Sequence, residues 1–574
     1  MFQLMKGRVS FWKVAGTVIF MILQVLTTLY LPNLTADIVN NGITKGDTHY
    51  IIIASGKMLL TSILVVLASF SNVFLAAQVS QKLGQKLRTD IYQKVLYMSN
   101  DEFDQVGTSS LITRTTNDVL QVQNVVMMLL RMMIMAPIMM IGASLMAYQK
   151  NAQLTQVFLI VIPILAIVLG IIMYWAVPLF KAMQQKTDRL NLIFREGLTG
   201  VRVIRAFRQD QYEQKRFGQA NQDYTHNAEK VYSIVAAMPP IMTLIMGGTN
   251  IGITWLGAHY IAQQSLQVGN LIAFMTYAMQ ILMSCTMLAV VFVVVPRAQA
   301  SAARIRGVLD LQSQLQEPKT SSPNPSSRAS LEFRKVGFRY QQAEKSVLTG
   351  VNFQAQAGQT VGIIGGTGSG KTTLVSLISR MYDVTTGAVL VNGSDVRQQT
   401  LTEINTQVAV AFQKAILFKG SLRENLQYGN SEATDEQLWH ALAIAQAQDF
   451  VQAAQGLETW VEQDGSNFSG GQRQRLTIAR ALVKEAAIYV FDDSFSALDF
   501  QTDARLRQAL RQDPRMKTKI IVIVGQRIST IADADTILVL DQGQMVGCGT
   551  HAELKAKNAT YQEIMQSQIK GGVN

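Results

Sequence analysis

Residues 365–372 read Gly-Gly-Thr-Gly-Ser-Gly-Lys-Thr, and this stretch decides the fold of the carboxyl-terminal half. Its glycines and lysine have the spacing G-x-x-x-x-G-K-T of a phosphate-binding loop. The apolar run 360–364 before it predicts a strand, and 373–380 after it predicts a helix. Glycines let backbone N–H groups turn toward phosphates, and a helix N-terminus adds positive potential. This context favours a phosphate site in an α/β domain over a Gly/Ser-rich turn that happens to precede a lysine.

The amino-terminal half has a different character, because long apolar runs dominate it. A helix needs about 20 predominantly apolar residues to cross a bilayer. The chain offers about six such stretches, near residues 14–40, 51–78, 122–148, 154–179, 231–262 and 269–296. We therefore predict an all-α transmembrane domain of six helices ahead of the α/β domain.

The charge distribution predicts the orientation of these helices. The net charge is +12, a value that would also suit a nucleic-acid-binding protein. The basic residues, however, concentrate in the connections 79–121 and 180–230, whereas the opposite loops carry only Lys45 and Lys150. By the positive-inside rule both termini are then cytoplasmic. Membrane topology accounts for the charge, so we expect no nucleic-acid partner.

Few charges occur inside the apolar segments. Arg131 lies in a methionine-rich stretch, and Asp37 lies near the outer end of the first predicted helix. An ionisable residue within a membrane is a functional hypothesis by default, but a structural arginine and a solvated loop acid are equally good interpretations. Methionine suits an adaptable apolar surface, but lipid-facing or helix-packing methionine is the simpler interpretation.

Residues 312–330 are polar and rich in Pro and Ser, which predicts a linker. Further polar motifs follow it, each at the end of an apolar run or at the start of a helical one. They are Gln413 after 408–412, the Gly-rich segment 467–472, Asp492 after 487–491, the segment 496–499, and 525–527 after 520–524. A second Gly-rich helix N-terminus is a second candidate phosphate contact. Tyr340 could stack on a base, although a core aromatic at a strand end is the simpler interpretation.

In this order and spacing the motifs resemble those of ATP-binding cassette (ABC) exporters, and the resemblance covers essentially the whole chain. It implies a cassette that binds ATP and Mg²⁺, with 365–372 as Walker A, 468–472 as the signature, Asp492 as Walker B and 496–499 as the D-loop. The segments near 100–110 and 205–217 are similar to coupling helices. Magnesium would be held by Thr372, Gln413 and Asp492. The implied nucleotide contacts are Tyr340, Gly365, Gly366, Thr367, Gly368, Ser369, Gly370, Lys371, Thr372, Thr373, Ser469, Gly470, Gly471, Gln472 and Asp499.

Two positions depart from the family pattern. Asp493 stands where the family has a catalytic glutamate, and Gln526 stands where it has a switch histidine. Aspartate is one methylene shorter, and a glutamine amide cannot take up a proton. The pattern resembles the degenerate-site subunit of bacterial heterodimeric multidrug exporters. It implies a partner half-transporter with an intact glutamate and histidine.

The sequence thus predicts a membrane domain over 1–311, the linker 312–330 and a cassette over 331–574. The expected function is ATP-driven export of an amphipathic compound by a multi-pass protein of the bacterial plasma membrane, in contact with membrane lipid. A homodimeric lipid or drug exporter and a nucleotide-gated regulator are the alternatives.

Overall fold

The computed structural model describes residues 2–311, 315, 318, 328–341 and 343–571. The chain divides into two compact units. The helical unit consists of Met1–Leu96 and Ser109–Asp310, and the α/β unit consists of Tyr97–Thr108 and Leu311–Asn574. The predicted linker 312–330 lies outside the described residues except for 315, 318 and 328–330.

The helical unit contains six helical segments that are long and apolar enough to cross a membrane, which confirms the predicted six-helix architecture. Three π-helical turns, Ile38–Ile43, Arg114–Asp118 and Leu129–Met133, interrupt or extend two of these segments. The α-helices are Phe2–Met5, Phe11–Asp37, Thr48–Leu96, Thr108–Thr113, Val119–Met128, Ile134–Lys150, Ala152–Thr199, Val201–Ala206, Asp210–Ala262 and Val268–Leu309.

These helices pack through aliphatic and aromatic residues and leave other large apolar side chains on the outside. Phe158 and Phe274 stack with ring centroids 5.1 Å apart. The buried Tyr277 hydroxyl donates a hydrogen bond to the Leu29 carbonyl oxygen at 3.0 Å, which satisfies a polar group inside the bundle. Leu159 and Ile251, by contrast, are largely exposed. Apolar side chains facing outward suit a lipid environment.

The α/β unit is built on a six-stranded sheet in the order Gln544–Gly549, Thr536–Asp541, Thr360–Gly365, Ile520–Val524, Ile488–Asp492 and Val408–Ala411. Only the first of these strands runs antiparallel to its neighbour. A second sheet has the order Leu348–Gln356, Ser330–Phe338, Thr386–Val391 and Ser394–Asp395. Gly420–Ser421 and Trp460–Val461 form a short third pair.

Both faces of the six-stranded sheet are buried, as parallel strands require. In the strand Ile520–Val524, Ile521 and Ile523 enter one core, which includes the helix Gly470–Val483. Ile520, Val522 and Val524 enter the other core, which the antiparallel sheet covers. The alternation of side chains along a strand therefore joins two cores across one sheet.

Several helices of this unit begin at side-chain caps. Ser421, Thr434 and Ser469 each accept a hydrogen bond from the backbone N–H three residues ahead and form full capping boxes. The α-helices are Lys371–Ile378, Leu401–Gln407, Leu422–Gln427, Asp435–Ile444, Gln448–Gln452, Gly470–Val483, Phe500–Gln512, Ile528–Ile531, His551–Lys557 and Ala559–Gly571.

The segment Tyr97–Thr108 belongs to the α/β unit although it comes from the amino-terminal half of the chain. Its helix Asn100–Val106 starts at a capping box between Ser99 and Glu102. The pKa of Tyr382 is raised to about 12, mainly by burial and in addition by Tyr340 and the helix acids Asp104 and Asp101. The pKa of Asp101 is itself raised, first by burial and then by its acidic neighbours.

Arg380 is the largest fully buried side chain of the described chain and joins its own turn to the segment that contains Gln399. Its Nε donates to Asp383 at 2.9 Å and its Nη1 donates to the Gln399 carbonyl at 2.8 Å.

We expect Arg380→Met to cost about 3 kcal/mol of unfolding free energy, because a buried ion pair loses one partner. That cost should lower the melting temperature of the α/β unit by roughly 6 °C or more in calorimetry of the detergent-purified chain.

Arg397→Met is the matched control, since Arg397 pairs with Asp395 at 2.7 Å but is 40% exposed. Exposed ion pairs contribute about 0–1 kcal/mol. Equal melting shifts for the two variants would contradict the structural role assigned to Arg380.

Candidate nucleotide-binding site

The phosphate loop lies between the strand Thr360–Gly365 and the helix Lys371–Ile378, as the sequence predicts. Gly370 has φ 97°, a left-handed conformation that side chains rarely adopt. A Cβ on Gly370 would also lie 2.7 Å from Leu348 Cδ2. Only glycine therefore fits this turn into the helix.

The loop presents donors that suit an anionic ligand. The Lys371 ammonium donates to the carbonyls of Gly365 and Gly366 at 2.9 and 2.7 Å. Burial lowers the pKa of Lys371, while Asp493 and Asp492 oppose that shift. The Ser369 hydroxyl is buried and has no hydrogen-bond partner among the described residues. A partly desolvated cation and an unsatisfied hydroxyl in one loop fit the binding of phosphate oxygens.

Strand register brings Asp492 to this loop. Asp492 pairs with Val524, and Val524 pairs with Ile363 in the strand that leads to the loop. The Thr372 hydroxyl donates to Asp492 Oδ1 at 3.2 Å. Burial raises the pKa of Asp492 to about 6, and the Thr372 hydrogen bond partly offsets the rise. A hydroxyl and a carboxylate this close are the oxygen ligands that Mg²⁺ uses beside phosphates, so these residues fit that ion.

Asp493, Gln526 and Gln413 form one polar cluster next to Asp492. Gln526 Nε2 donates to Asp493 Oδ2 at 2.7 Å, and Gln413 Nε2 lies 3.4 Å from the same oxygen. The pKa of Asp493 is raised by burial, and the Gln526 hydrogen bond opposes the shift. Asp493 has φ 49°, so the backbone turns sharply at this residue. Two amides thus hold one short carboxylate.

The signature segment lies apart from this cluster. Ser469 caps the helix Gly470–Val483, and Gln472 closes the capping box through its amide oxygen on the Ser469 N–H at 2.9 Å. Ser469 and Gly470 are exposed. Among the described residues, no hydrogen bond joins 468–472 to the loop 365–372. The N-terminus of this helix is therefore open at the surface of the unit.

The segment 493–499 connects the polar cluster to the signature helix. The Ser496 hydroxyl donates to the Asp493 carbonyl at 2.8 Å. A Cβ on Gly471 would lie 3.1 Å from the Ala497 carbonyl oxygen, which places the two backbones in close contact. Asp499 caps the helix Phe500–Gln512, and the hydrogen bonds it accepts there lower its pKa. Its carboxylate thus has a structural role that the motif does not reveal.

Tyr340 lies at the edge of the loop. Its hydroxyl is 3.0 Å from the Thr373 hydroxyl, and its ring contacts Phe338 and Tyr382 edge-on with centroids 4.8 and 5.3 Å away. Both predicted contacts, Tyr340 and Thr373, therefore meet at the start of the loop helix. Sequence reasoning missed Tyr382, because no motif marks an isolated aromatic after a helix.

The structure brings together Walker A, Asp492, Asp493, Gln413 and Gln526, whereas the signature residues lie elsewhere on the same unit. The nucleotide and magnesium contacts assigned to these residues stay predictions. The geometry supplies a phosphate-type loop, an oxygen-rich metal position and a carboxylate restrained by amides. All three lie at the carboxyl ends of the parallel strands.

Two family models match the chain. The ABC transporter transmembrane region matches residues 14–285, and the ABC transporter domain matches residues 348–496. The chain belongs to the ABC transporters. The family implies ATP binding and ATP-driven transport, and its exporters work as dimers.

Named relatives of this ABC transporter cover nearly its whole length. An uncharacterized ABC transporter ATP-binding protein of Mycobacterium tuberculosis is 40% identical over 97% of this chain and 96% of its own. An ATP-dependent lipid A-core flippase of Pseudomonas aeruginosa is 32% identical over 90% of this chain and 85% of its own. A bacterial Atm1-family ABC exporter with ATP bound has the same fold, with a TM-score of 0.80 at 24% identity over 97% and 98% of the two chains.

We expect Gly370→Ala to weaken binding of a fluorescent ATP analogue to the purified ABC transporter at least tenfold. The added Cβ meets Leu348 and strains the left-handed turn, so the loop cannot keep its shape. Gly366→Ala is the control, because a Cβ there meets nothing within 4 Å. Similar affinities for both variants would refute the proposed loop geometry.

Proposed function

We propose that this ABC transporter is one subunit of a heterodimeric exporter and that it contributes a nucleotide site which hydrolyses ATP slowly. One observation carries the proposal. The carboxylate that follows Asp492 belongs to an aspartate, Asp493, and the Gln526 amide holds it at 2.7 Å.

A catalytic carboxylate in such a site orients the attacking water and must lie within hydrogen-bond reach of it. Asp493 is one methylene shorter than glutamate, so its carboxylate is withdrawn by roughly 1 Å, and a misplacement of about that size costs about 100-fold in rate. Gln526 donates to the same oxygen and cannot take up a proton at neutral pH. Both features weaken hydrolysis at this site.

The groups that bind nucleotide are unaffected by these changes. Lys371 and the loop 365–370 supply donors for phosphate oxygens, and Tyr340 supplies an aromatic ring beside Thr373. Thr372, Asp492 and Gln413 would hold Mg²⁺, which when bound neutralises charge on the phosphate oxygens. Asp492 then serves as a carboxylate ligand rather than as the group that orients water. The site is thus suited to retain ATP more than to consume it.

The exposed signature suggests what this subunit gives to its partner. Ser469, Gly470, Gly471 and Gln472 present an open helix N-terminus, which attracts phosphate. In the heterodimer it would complete a competent site whose glutamate and histidine belong to the partner half-transporter. The contact between Gly471 and Ala497 would let that site respond to the state of Asp493.

The helical unit supports a multi-pass position in the bacterial plasma membrane, with both termini in the cytoplasm as the basic connections predict. The proposed domain boundaries remain 1–311, 312–330 and 331–574. A relative named as a lipid A-core flippase and the apolar helical unit favour an amphipathic cargo, of either lipid or drug character.

We expect the purified chain alone to hydrolyse ATP slowly, and co-purification with the correct half-transporter to restore rapid turnover. In that complex, the double substitution Asp493→Glu and Gln526→His should raise the ATPase rate of the slow site at least tenfold. The glutamate brings its carboxylate within reach of the attacking water, and the histidine supplies a side chain that can take up a proton. The slow site is isolated by replacing the partner's catalytic glutamate with glutamine.

Asp493→Asn is the matched control, since it keeps the length of the side chain and removes its charge. It should leave the overall rate of the complex nearly unchanged. Rapid hydrolysis by the unmodified chain alone would favour a homodimeric exporter. Vesicles in which ATP opens a leak without net export would instead favour a nucleotide-gated regulator.

A further inference from the structure

The helical unit contains a cavity of about 670 Å³, a volume typical of small-molecule sites. Amide and hydroxyl side chains line one part of it and methionines line another. Its lining residues include Ser69, Asn72, Gln121, Arg131, Met128 and Met135. The cavity is therefore amphipathic within an otherwise apolar bundle.

Arg131 is the one charged side chain among the described lining residues. It is half-buried, and no hydrogen bond or ion pair to it is present in the part of the chain that the structure describes. Other arginines of the same unit do have partners: Arg304 pairs with Asp118, and Arg88 donates to Gln123 at 3.2 Å. An arginine in a membrane helix is costly without a counter-charge, so its position calls for an anionic partner.

The backbone at this position is also unusual. Arg131 lies in the π-helical turn Leu129–Met133, and such turns occur frequently at functional sites. Pro137 follows it and has no N–H to donate to the Met133 carbonyl. Counted from Lys150 at about 1.5 Å per residue, Arg131 lies roughly 28 Å along the helix. Under the proposed orientation, this depth is near the cytoplasmic boundary of a bilayer core about 30 Å thick.

A second cavity of about 580 Å³ shares Gln121 with the first. Its lining includes Lys181, Arg297 and Arg304. Only Arg304 of these three forms an ion pair among the described residues, and its partner is Asp118. Positive side chains thus line a second cavity next to the one that holds Arg131, and their potential favours anions over cations.

We propose that the Arg131 cavity binds an anionic amphipathic molecule. Its carboxylate, sulfate or phosphate group pairs with the Arg131 guanidinium, and its apolar body packs on the surrounding methionines. Planar guanidinium groups recognise such oxyanions through paired hydrogen bonds. The inference rests on the proposed export function and names the cargo class, which is anionic rather than cationic.

The test measures binding to the full chain in nanodiscs of zwitterionic lipid without ATP. Two fluorescent probes share one apolar body: dansylaminoundecanoate is anionic, and its trimethylammonium counterpart is cationic. We expect the unmodified chain to prefer the anionic probe, and Arg131→Gln to weaken that binding at least tenfold while leaving the cationic probe unchanged or tighter. Arg131→Lys keeps the charge but lacks the planar pair of donors, so it should lose less affinity for the anionic probe than Arg131→Gln does.

Two further variants separate charge from folding. Arg202→Gln removes an exposed arginine outside both cavities and should change neither affinity. Arg131→Glu should reverse the preference toward the cationic probe, a gain that a misfolded protein does not show. Equal losses for both probes in Arg131→Gln, or an unchanged affinity for the anionic one, would overturn the proposal.

Competition then identifies the source of the anion. Displacement by lysophosphatidate but not by lysophosphatidylcholine would support a lipid headgroup, and displacement only by soluble organic acids would support a free compound. Because the binding test uses no ATP, its outcome does not depend on whether the nucleotide site hydrolyses slowly. The ATPase measurements likewise do not depend on whether the Arg131 cavity prefers anions.

Discussion

The register of three parallel strands is the constraint on which the nucleotide site depends. Ile363, Val524 and Asp492 lie side by side across the sheet, so the loops that follow these strands lie at the same end of the sheet. Residues far apart in sequence then meet without needing flexible loops. The two cores fix this register from both faces, because a slip of one residue would exchange Ile521 and Ile523 with their neighbours. Apolar packing therefore sets the geometry of a polar site.

Local patterns in the sequence predicted the strand–loop–helix of the phosphate loop and the six membrane segments. Glycine spacing indicated the first, and long apolar runs indicated the second. The sequence could not predict contacts that depend on tertiary packing. Tyr382 beside Tyr340 and Ala497 against Gly471 are of this kind. The π-helical turn at Arg131 was equally hidden, since its residues are ordinary helix formers. Periodicity identifies a helix but does not show a one-residue change in its winding.

Asp493 and Arg131 are both charged side chains removed from bulk water, but they differ in whether the protein supplies their hydrogen-bond partners. Two amides lie next to Asp493, so its carboxylate is restrained and its charge is partly satisfied by the protein itself. Arg131 has no such partner among the described residues. A satisfied group favours one stable arrangement, whereas an unsatisfied one favours whatever ligand completes it. The first property agrees with the proposed retention of nucleotide, and the second agrees with the proposed selection of an anionic cargo.

The α/β unit is discontinuous in sequence, since it includes Tyr97–Thr108 from the first half of the chain. Evolution by recombination must respect this arrangement. A crossover anywhere between residues 108 and 311 would combine one ancestor's Asn100–Val106 helix with another's Tyr382 neighbourhood. Such chimeras would inherit mismatched surfaces at a place where acidic and aromatic side chains influence one another. The two halves of this gene are therefore expected to descend together, and swapping whole halves among paralogues is a poor route to new specificity.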